Sequence, residues 1–412
     1  MSTGPSALSA ASAAPARGKV RVWLLAQAAL VAAAVTLYLL VLGQAAGRHE
    51  DFTAYLTAAR DLWQGHPLYA TFLHHPFPDA TLRPAFIYPP AFAVLMAPFG
   101  LIPATAGAAL WLLLCQAALI GSLVLVLWAE RPSRWAAVVL LCATFTFYPL
   151  WVDAIQGQAN LPILLLVTAG IIGTVRGRPS WAAAIGVAAA LKLTPLLLLG
   201  WLLVERRYRE VAFMLGGFAL VTITGALLRL DDSVAFFTQV LPALARGTAF
   251  YGNHSLAGFL ARILSHNPYT DPWVSIPFES VVAAAAAVSL CAWWVWQGRR
   301  DRALAGAMAF LPLLPLISTV TWSHHLVILL PVIWVSIISV ARRNWPFRPT
   351  LTLAAIALLM SLLARWPVEP VFGQPGFRAA QTMDPVVFIV VNSLSIGTVL
   401  LFITAPWLLR SR

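Results

Sequence analysis

Charge is scarce in this chain: of 412 residues only 10% are Asp, Glu, Lys or Arg, while 60% are apolar. Lysine is nearly missing, with Lys19 and Lys192 alone. A string of soluble domains, which the length would otherwise allow, is excluded by that balance. The apolar residues gather in runs approaching the ~20 residues that a helix needs to cross a bilayer. Strand-like alternation is missing too. Backbone groups in lipid must be satisfied within their own segment, so helices are the spanning element. Cysteine is rare: Cys115, Cys142 and Cys291 all sit inside apolar runs and read as small core residues. That excludes a disulfide framework, and no spacing marks a zinc site.

What charge there is falls in clusters. They are Arg17, Lys19 and Arg21; Arg131 and Arg134; Arg176 and Arg178; Arg206, Arg207 and Arg209; Arg299, Arg300 and Arg302; Arg342, Arg343 and Arg348; Arg410 and Arg412. These positions hold 18 of the 27 cations, with only Glu130, Glu205, Glu210 and Asp301 beside them. On one side of a membrane they carry about +14 and leave about −2 for the other, the signature of cytoplasmic helix ends. The net charge of +12 is therefore a topology signal, and no nucleic-acid partner is expected.

Residues 1–21 read as a disordered cytoplasmic tail and 22–412 as one transmembrane domain. The clusters set the parity of about twelve transmembrane helices: 22–46, 104–129, 135–151, 160–175, 180–191, 193–204, 210–229, 276–297, 303–320, 325–341, 350–364 and 386–409. Both termini are then cytoplasmic, and 47–103 and 230–275 are extracytoplasmic. The pair flanking Lys192 is short, as in helices that meet below the surface or form a re-entrant pair. Phe52, Tyr55, Leu56, Ala59 and Leu62 have helical spacing, which predicts an outer-face amphipathic helix that Gly65-His66-Pro67 ends. The proline-rich stretch 87–102 reads as a half-buried hairpin. The expected fold class is all-α, a polytopic helical membrane protein.

Five polar patches fall on the face opposite the arginines. Glu50-Asp51 follows the first helix, where Asp51 serves equally as a solvated end or an N-cap. Asp153, Gln156, Gln158 and Asn160 lie between two helix ends, as amides that hydrogen-bond sugar hydroxyls or as a solvated turn. Lys192 interrupts an apolar run and needs an anion such as phosphate, or a path to water. Asn253-His254-Ser255 with Arg262 is the fourth patch. Trp322-Ser323-His324-His325 is the fifth, with rings able to donate to phosphate or move a proton. Five patches on one face point to a shared extracytoplasmic site.

The ordered motifs resemble glycosyltransferase family 87, the former domain of unknown function 2029. They are Asp51-Phe52-x-x-Tyr55, Gly65-x-Pro67-x-Tyr69, Tyr88-Pro89-Pro90, Gly157-Gln158-x-Asn160, Lys192-x-x-Pro195, Asn253-His254-Ser255 and Ser323-His324-His325. His254 stands where many relatives have Gln. The resemblance runs from about residue 48 to 340 and implies a GT-C-like fold. It also implies an inverting glycosyltransferase of the bacterial inner membrane, working on its outer face. The donor would be a polyprenyl-phosphate sugar, mannose first and arabinofuranose as the alternative. The acceptor would be a lipid or glycan. Asp51 takes the role of base, with Glu50 as a substitute or a sugar contact. Lys192, His324, His325 and Arg262 would meet the donor phosphate. Tyr55, Tyr88, Gln158, Asn160, Asn253 and His254 would hold sugar or acceptor. No cofactor is required, since the lipid phosphate is a built-in leaving group; a divalent metal is left open. A transporter or lipid flippase is the competing class, but it places ionisable residues near the midplane and often carries internal repeats.

Overall fold

The computed structural model of the protein describes residues 14–46, 50–74, 85–270, 279–298, 304–366 and 384–410. Every regular element among these residues is helical, with no strand. The predicted tail lies outside the described residues over 1–13, and α1 (Ala14–Ala45) begins there. The cluster at Arg299, Arg300 and Arg302 also lies outside them.

Among the described residues six helical segments are long and apolar enough to cross a membrane: 22–45, 104–130, 208–228, 279–296, 323–342 and 347–365. Two more candidates are bent pairs. α6 (Arg134–Phe145) meets α7 (Tyr148–Gln156) at 48°, and α20 (Pro385–Val391) meets α21 (Ser393–Leu408) at 69°. Against the twelve expected, the described residues hold six candidate spans, or eight with the bent pairs. Four of the predicted spans fall on shorter apolar helices: 160–175, 179–191, 194–204 and 304–317. At 1.5 Å per residue these reach roughly 15–25 Å, short of a ~30 Å hydrocarbon core. The sequence shows where each apolar run breaks, but not how deep its ends lie.

The short helices sit among the long ones. α5 (Ala104–Glu130) packs on α8 (Asn160–Val175), α8 on α9 (Ala182–Leu191), and α9 on α11 (Tyr208–Leu228). The last pair is close enough for backbones to touch. A Cβ on Gly186 would stand 1.9 Å from Met214 O. Small residues at such a crossing let two helices approach without side chains between them.

One span is almost wholly enclosed. The turn Ser323–Leu329 and α18 (Leu330–Arg342) form a segment 89% buried, against 6–39% for the other long helices. α5, α6 and α21 surround it, and Trp334 Nε1 donates to Thr144 Oγ1 at 2.8 Å. The other long helices leave Leu, Ile and Val exposed, as lipid-facing surfaces require.

The arginine ends of these helices meet. Arg342 Nη1 pairs with Glu130 at 2.7 Å, joining α18 to α5. Arg176 Nη2 donates to Ala129 O at 3.0 Å and stacks over Trp128, joining α8 to α5. Arg343 Nη2 donates to Leu408 O at 2.8 Å, joining α18 to α21. Asn160 begins α8, and His324 and His325 precede α18, so the predicted site residues lie at the other end of the same helices.

The predicted amphipathic helix is α2 (Glu50–Gln64), which Gly65 ends at φ +72°. It buries Phe52, Tyr55, Leu56 and Ala59. In place of the expected hairpin, α4 (Pro90–Met96) continues into a turn over Ala97–Leu101, and α2 packs on both.

Candidate active site

α2, the strand-free segment 85–89, the α7–α8 turn, the break at Lys192 and the turn before α18 enclose a cavity of about 710 Å³. Asp51, Tyr55, Tyr88, Gln158, Lys192, His324 and His325 all line it. Seven of the sequence-selected residues thus come together. Asn160 lies beside them, on a smaller cavity that it shares with Lys192 and His325. Glu50 opens α2, and its side chain lies outside the described residues.

The apolar stripe of α2 fixes the carboxylate. With Phe52 and Tyr55 buried against α4 and Trp111, Asp51 is held at the first turn, on the cavity wall. Gln158 Nε2 donates to Asp51 Oδ2. Gln158 Oε1 accepts from the hydroxyls of Tyr55 and Tyr88, both at 3.0 Å, and the two hydroxyls are 3.0 Å from each other. Those donors commit the amide oxygen, which leaves the amino end for the carboxylate. Burial pushes both phenols well above the ordinary tyrosine range, so they stay protonated donors.

Lys192 caps the end of α9, where the backbone extends to φ −150° and ψ 114° before Thr194-Pro195 restart the helix. Its ammonium donates to Asn160 Oδ1 at 2.5 Å and stands 5.5 Å over the Tyr88 ring. Asn160 Nδ2 in turn donates to Asp153 Oδ1 at 2.9 Å. The lysine therefore has neutral neighbours at hydrogen-bond distance and keeps donors for an anion in the cavity.

The two histidines differ. His325 Nδ1 accepts from Trp322 N–H at 3.3 Å, and its ring also bonds the Val320 backbone. His324 stacks edge-on to it at 4.6 Å, and no hydrogen-bond partner for its ring stands among the described residues. His324 is the ring available to a ligand.

Arg262, Asn253 and His254 do not line the cavity. Arg262, expected at the donor phosphate, lies away from the cavity and is committed to other partners. It is 1% exposed, and its guanidinium donates to Asn392 Oδ1 at 2.7 Å and to the carbonyls of Phe250 and Asn253 at 2.9 Å. Burial brings it down to about 9. Asn253 is likewise committed, with Oδ1 accepting from Ser255 and Thr321 N–H and Nδ2 donating to Thr248 O and Thr319 O. His254 meets Ser323 Oγ at 3.0 Å through Nε2. Burial, with Arg262 nearby, pushes its imidazole down to about 3. These residues hold the loop that presents Phe250, Tyr251 and Gly252 to the cavity. Sequence reasoning missed that aromatic wall, which Tyr269 and Trp322 complete. The aromatic density of 230–275 was its only signal. Among the described residues no cluster of three His, Cys, Asp or Glu could hold a metal ion.

Comparison with known proteins fits this arrangement. The model of glycosyltransferase family 87 matches residues 86–319, more than half of the chain. A polyprenol-phosphate-mannose-dependent alpha-(1-2)-phosphatidylinositol mannoside mannosyltransferase of Mycobacterium tuberculosis is 30% identical over 77% of this chain and 76% of its own. A protein of the same description from Mycolicibacterium smegmatis is 30% identical over 75% of this chain and 74% of its own. An alpha-(1->3)-arabinofuranosyltransferase of Mycobacterium tuberculosis is 29% identical over 51% of this chain and 48% of its own. No solved structure matches the chain.

Proposed function

The chain belongs to glycosyltransferase family 87, and from that premise we propose that it moves mannose from a polyprenyl-phosphate donor to a lipid or glycan acceptor at the extracytoplasmic face. It is a multi-pass membrane glycosyltransferase. The observation that carries the finer reading is the meeting of Asp51 with Lys192 and His324 in one cavity.

The chemistry follows from those groups. An acceptor hydroxyl attacks the anomeric carbon opposite the phosphate, and its proton passes to the Asp51 carboxylate. The new glycosidic C–O bond forms as the anomeric C–O bond to phosphate breaks, so the configuration inverts. The electron pair leaves on the polyprenyl phosphate, where Lys192 and His324 meet the growing charge. The aromatic wall of the cavity, about 710 Å³ in volume, offers sugar rings an apolar face. The relatives' names support mannose as the sugar and a phosphatidylinositol mannoside as the acceptor type. The arabinofuranosyltransferase relative supports arabinofuranose as the alternative sugar. The extracytoplasmic placement rests on the arginine ends at the far side of the bundle.

The test is a transfer assay on the purified protein in detergent, with labelled polyprenyl-phosphate mannose and arabinofuranose in parallel. Mannose label should appear in the acceptor, and Asp51→Asn should lower the rate by at least ~10²-fold. Transfer of arabinofuranose alone replaces the sugar. Near-normal activity of Asp51→Asn removes the base, and no transfer of either sugar ends the reading. Turnover without a second compartment also separates transfer from transport.

A further inference from the structure

The α7–α8 connection is three residues long, Gly157 to Ala159, and with Asn160 at the start of α8 it touches both ends of the proposed chemistry. Gly157 adopts φ +68°, the left-handed turn that lets α7 stop and α8 start at once. α5 grips this turn through two side chains one helical turn apart. Trp111 Nε1 donates to Gly157 O at 2.8 Å, and Cys115 Sγ contacts Gln158 O at 3.5 Å. The backbone of the connection is therefore tied to a 27-residue span.

From this fixed base the two amides diverge. Gln158 is engaged at both ends, by the two tyrosine hydroxyls and by Asp51. Asn160 is engaged at both ends too, by Lys192 and by Asp153. Asp153 is 1% exposed, lines neither cavity, and its Oδ2 has no hydrogen-bond partner among the described residues. A buried carboxyl group with a single partner orders the one amide it does bond.

We infer that this turn is the positioning element of the site: Gln158 aims the Asp51 carboxylate, while Asn160, anchored by Asp153, aims the Lys192 ammonium. The distance between base and phosphate-binding cation is then set by a spacing of two residues on one rigid turn. Gln158 and Asn160 are positioning residues rather than sugar ligands. The inference rests on the roles proposed above for Asp51 and Lys192.

Those roles predict a division that a general structural defect does not produce. Gln158→Met should lower kcat by about 10²-fold through a misplaced base, with binding of the lipid phosphate unchanged. Asn160→Leu should weaken that binding and raise the donor KM about tenfold, with the smaller effect on kcat. Asp153→Ala should reproduce the Asn160→Leu defect from outside the cavity, and Asp153→Asn, which keeps an acceptor for Asn160, should rescue it. The measurements are kcat and KM for polyprenyl-phosphate mannose, and the Kd of undecaprenyl phosphate from tryptophan quenching. Elution profile and thermal midpoint check folding. If Asp153→Ala fails to fold, Asn160→Leu against Gln158→Met decides alone. Parallel shifts of both constants in those two variants overturn the inference while leaving the activity reading intact, provided Asp51→Asn is inactive. If the wild type transfers nothing, the activity reading fails. The Kd arm then still decides: weaker binding in Asn160→Leu but not Gln158→Met keeps the Lys192 half, and equal binding overturns it.

Discussion

His254 is a buried imidazole with one ring nitrogen, Nδ1, lacking a hydrogen-bond partner among the described residues. Burial and Arg262 hold it well below its ordinary 6.5, at about 3. Between those values the unfolded chain binds a proton that the folded chain refuses. Stability therefore falls as pH drops through that window, by at most about 1.4 kcal/mol per pH unit. His254→Gln cannot take up that proton. Thermal midpoints of the two proteins at pH 7, 6 and 5 should diverge, the wild type falling more steeply. Parallel curves would show that the folded chain takes up that proton as readily as the unfolded one, so that His254 is not held down. At this scale the sequence is informative about which residues are unusual but not about what they touch. Asp51, Lys192 and His324 stood out because a charge or a ring near lipid needs a reason. Arg262 stood out equally, yet its partner Asn392 lies 130 residues away and no local pattern links them. The amides of Gln158 and Asn160 carry the same ambiguity, since an amide that binds sugar and an amide that aims a neighbour have the same side chain.

At the scale of helices, the α9–α11 contact decides where Lys192 sits, because the lysine caps α9. The Cβ that any substitution adds at Gly186 would overlap Met214 O, and Gly217 faces Ala183 O at 2.5 Å in the same sense. Gly186→Leu must therefore push two backbones apart, at a cost of about 3 kcal/mol, the upper end of the usual overpacking penalty. The expected outcome is a large loss of monodisperse protein and of thermal stability. Gly216→Leu is the control on the same helix, since nothing lies within 4 Å of its Cβ. Equal yields from the two variants would show that the crossing is not tight. Element boundaries were legible wherever chemistry punctuates them. The helix expected around 52–63 is Glu50–Gln64, bounded by Gly65 as its spacing implied. Membrane depth was not legible. The segments 160–175 and 179–191 are as apolar as true spans but end early, and hydropathy measures run length without regard to where a run starts.

For the molecule as a whole, the arginine-bearing ends and the cavity occupy opposite ends of shared helices. Asp51→Cys and Ser323→Cys, in a background without Cys115, Cys142 and Cys291, should react with an impermeant thiol reagent from outside the cell. Arg131→Cys and Arg343→Cys should react only after permeabilisation. Labelling of positions 51 and 323 from opposite faces would break the proposed site apart. This polarity is the expectation the sequence carries most plainly, because 18 of its 27 cations fall in clusters flanking apolar runs and need no knowledge of packing. The enclosure of the segment 323–342 was invisible beforehand, since its composition matches that of its lipid-facing neighbours.

That enclosure bears on how the enzyme is made. α21, one of the helices wrapped around α18, leaves the ribosome after every residue of the cavity wall. The two imidazoles are therefore synthesised while part of their eventual shelter is still untranslated. The shelter of the histidine-bearing segment is therefore complete only after a late docking event, once synthesis has passed residue 408, rather than on insertion of that segment itself.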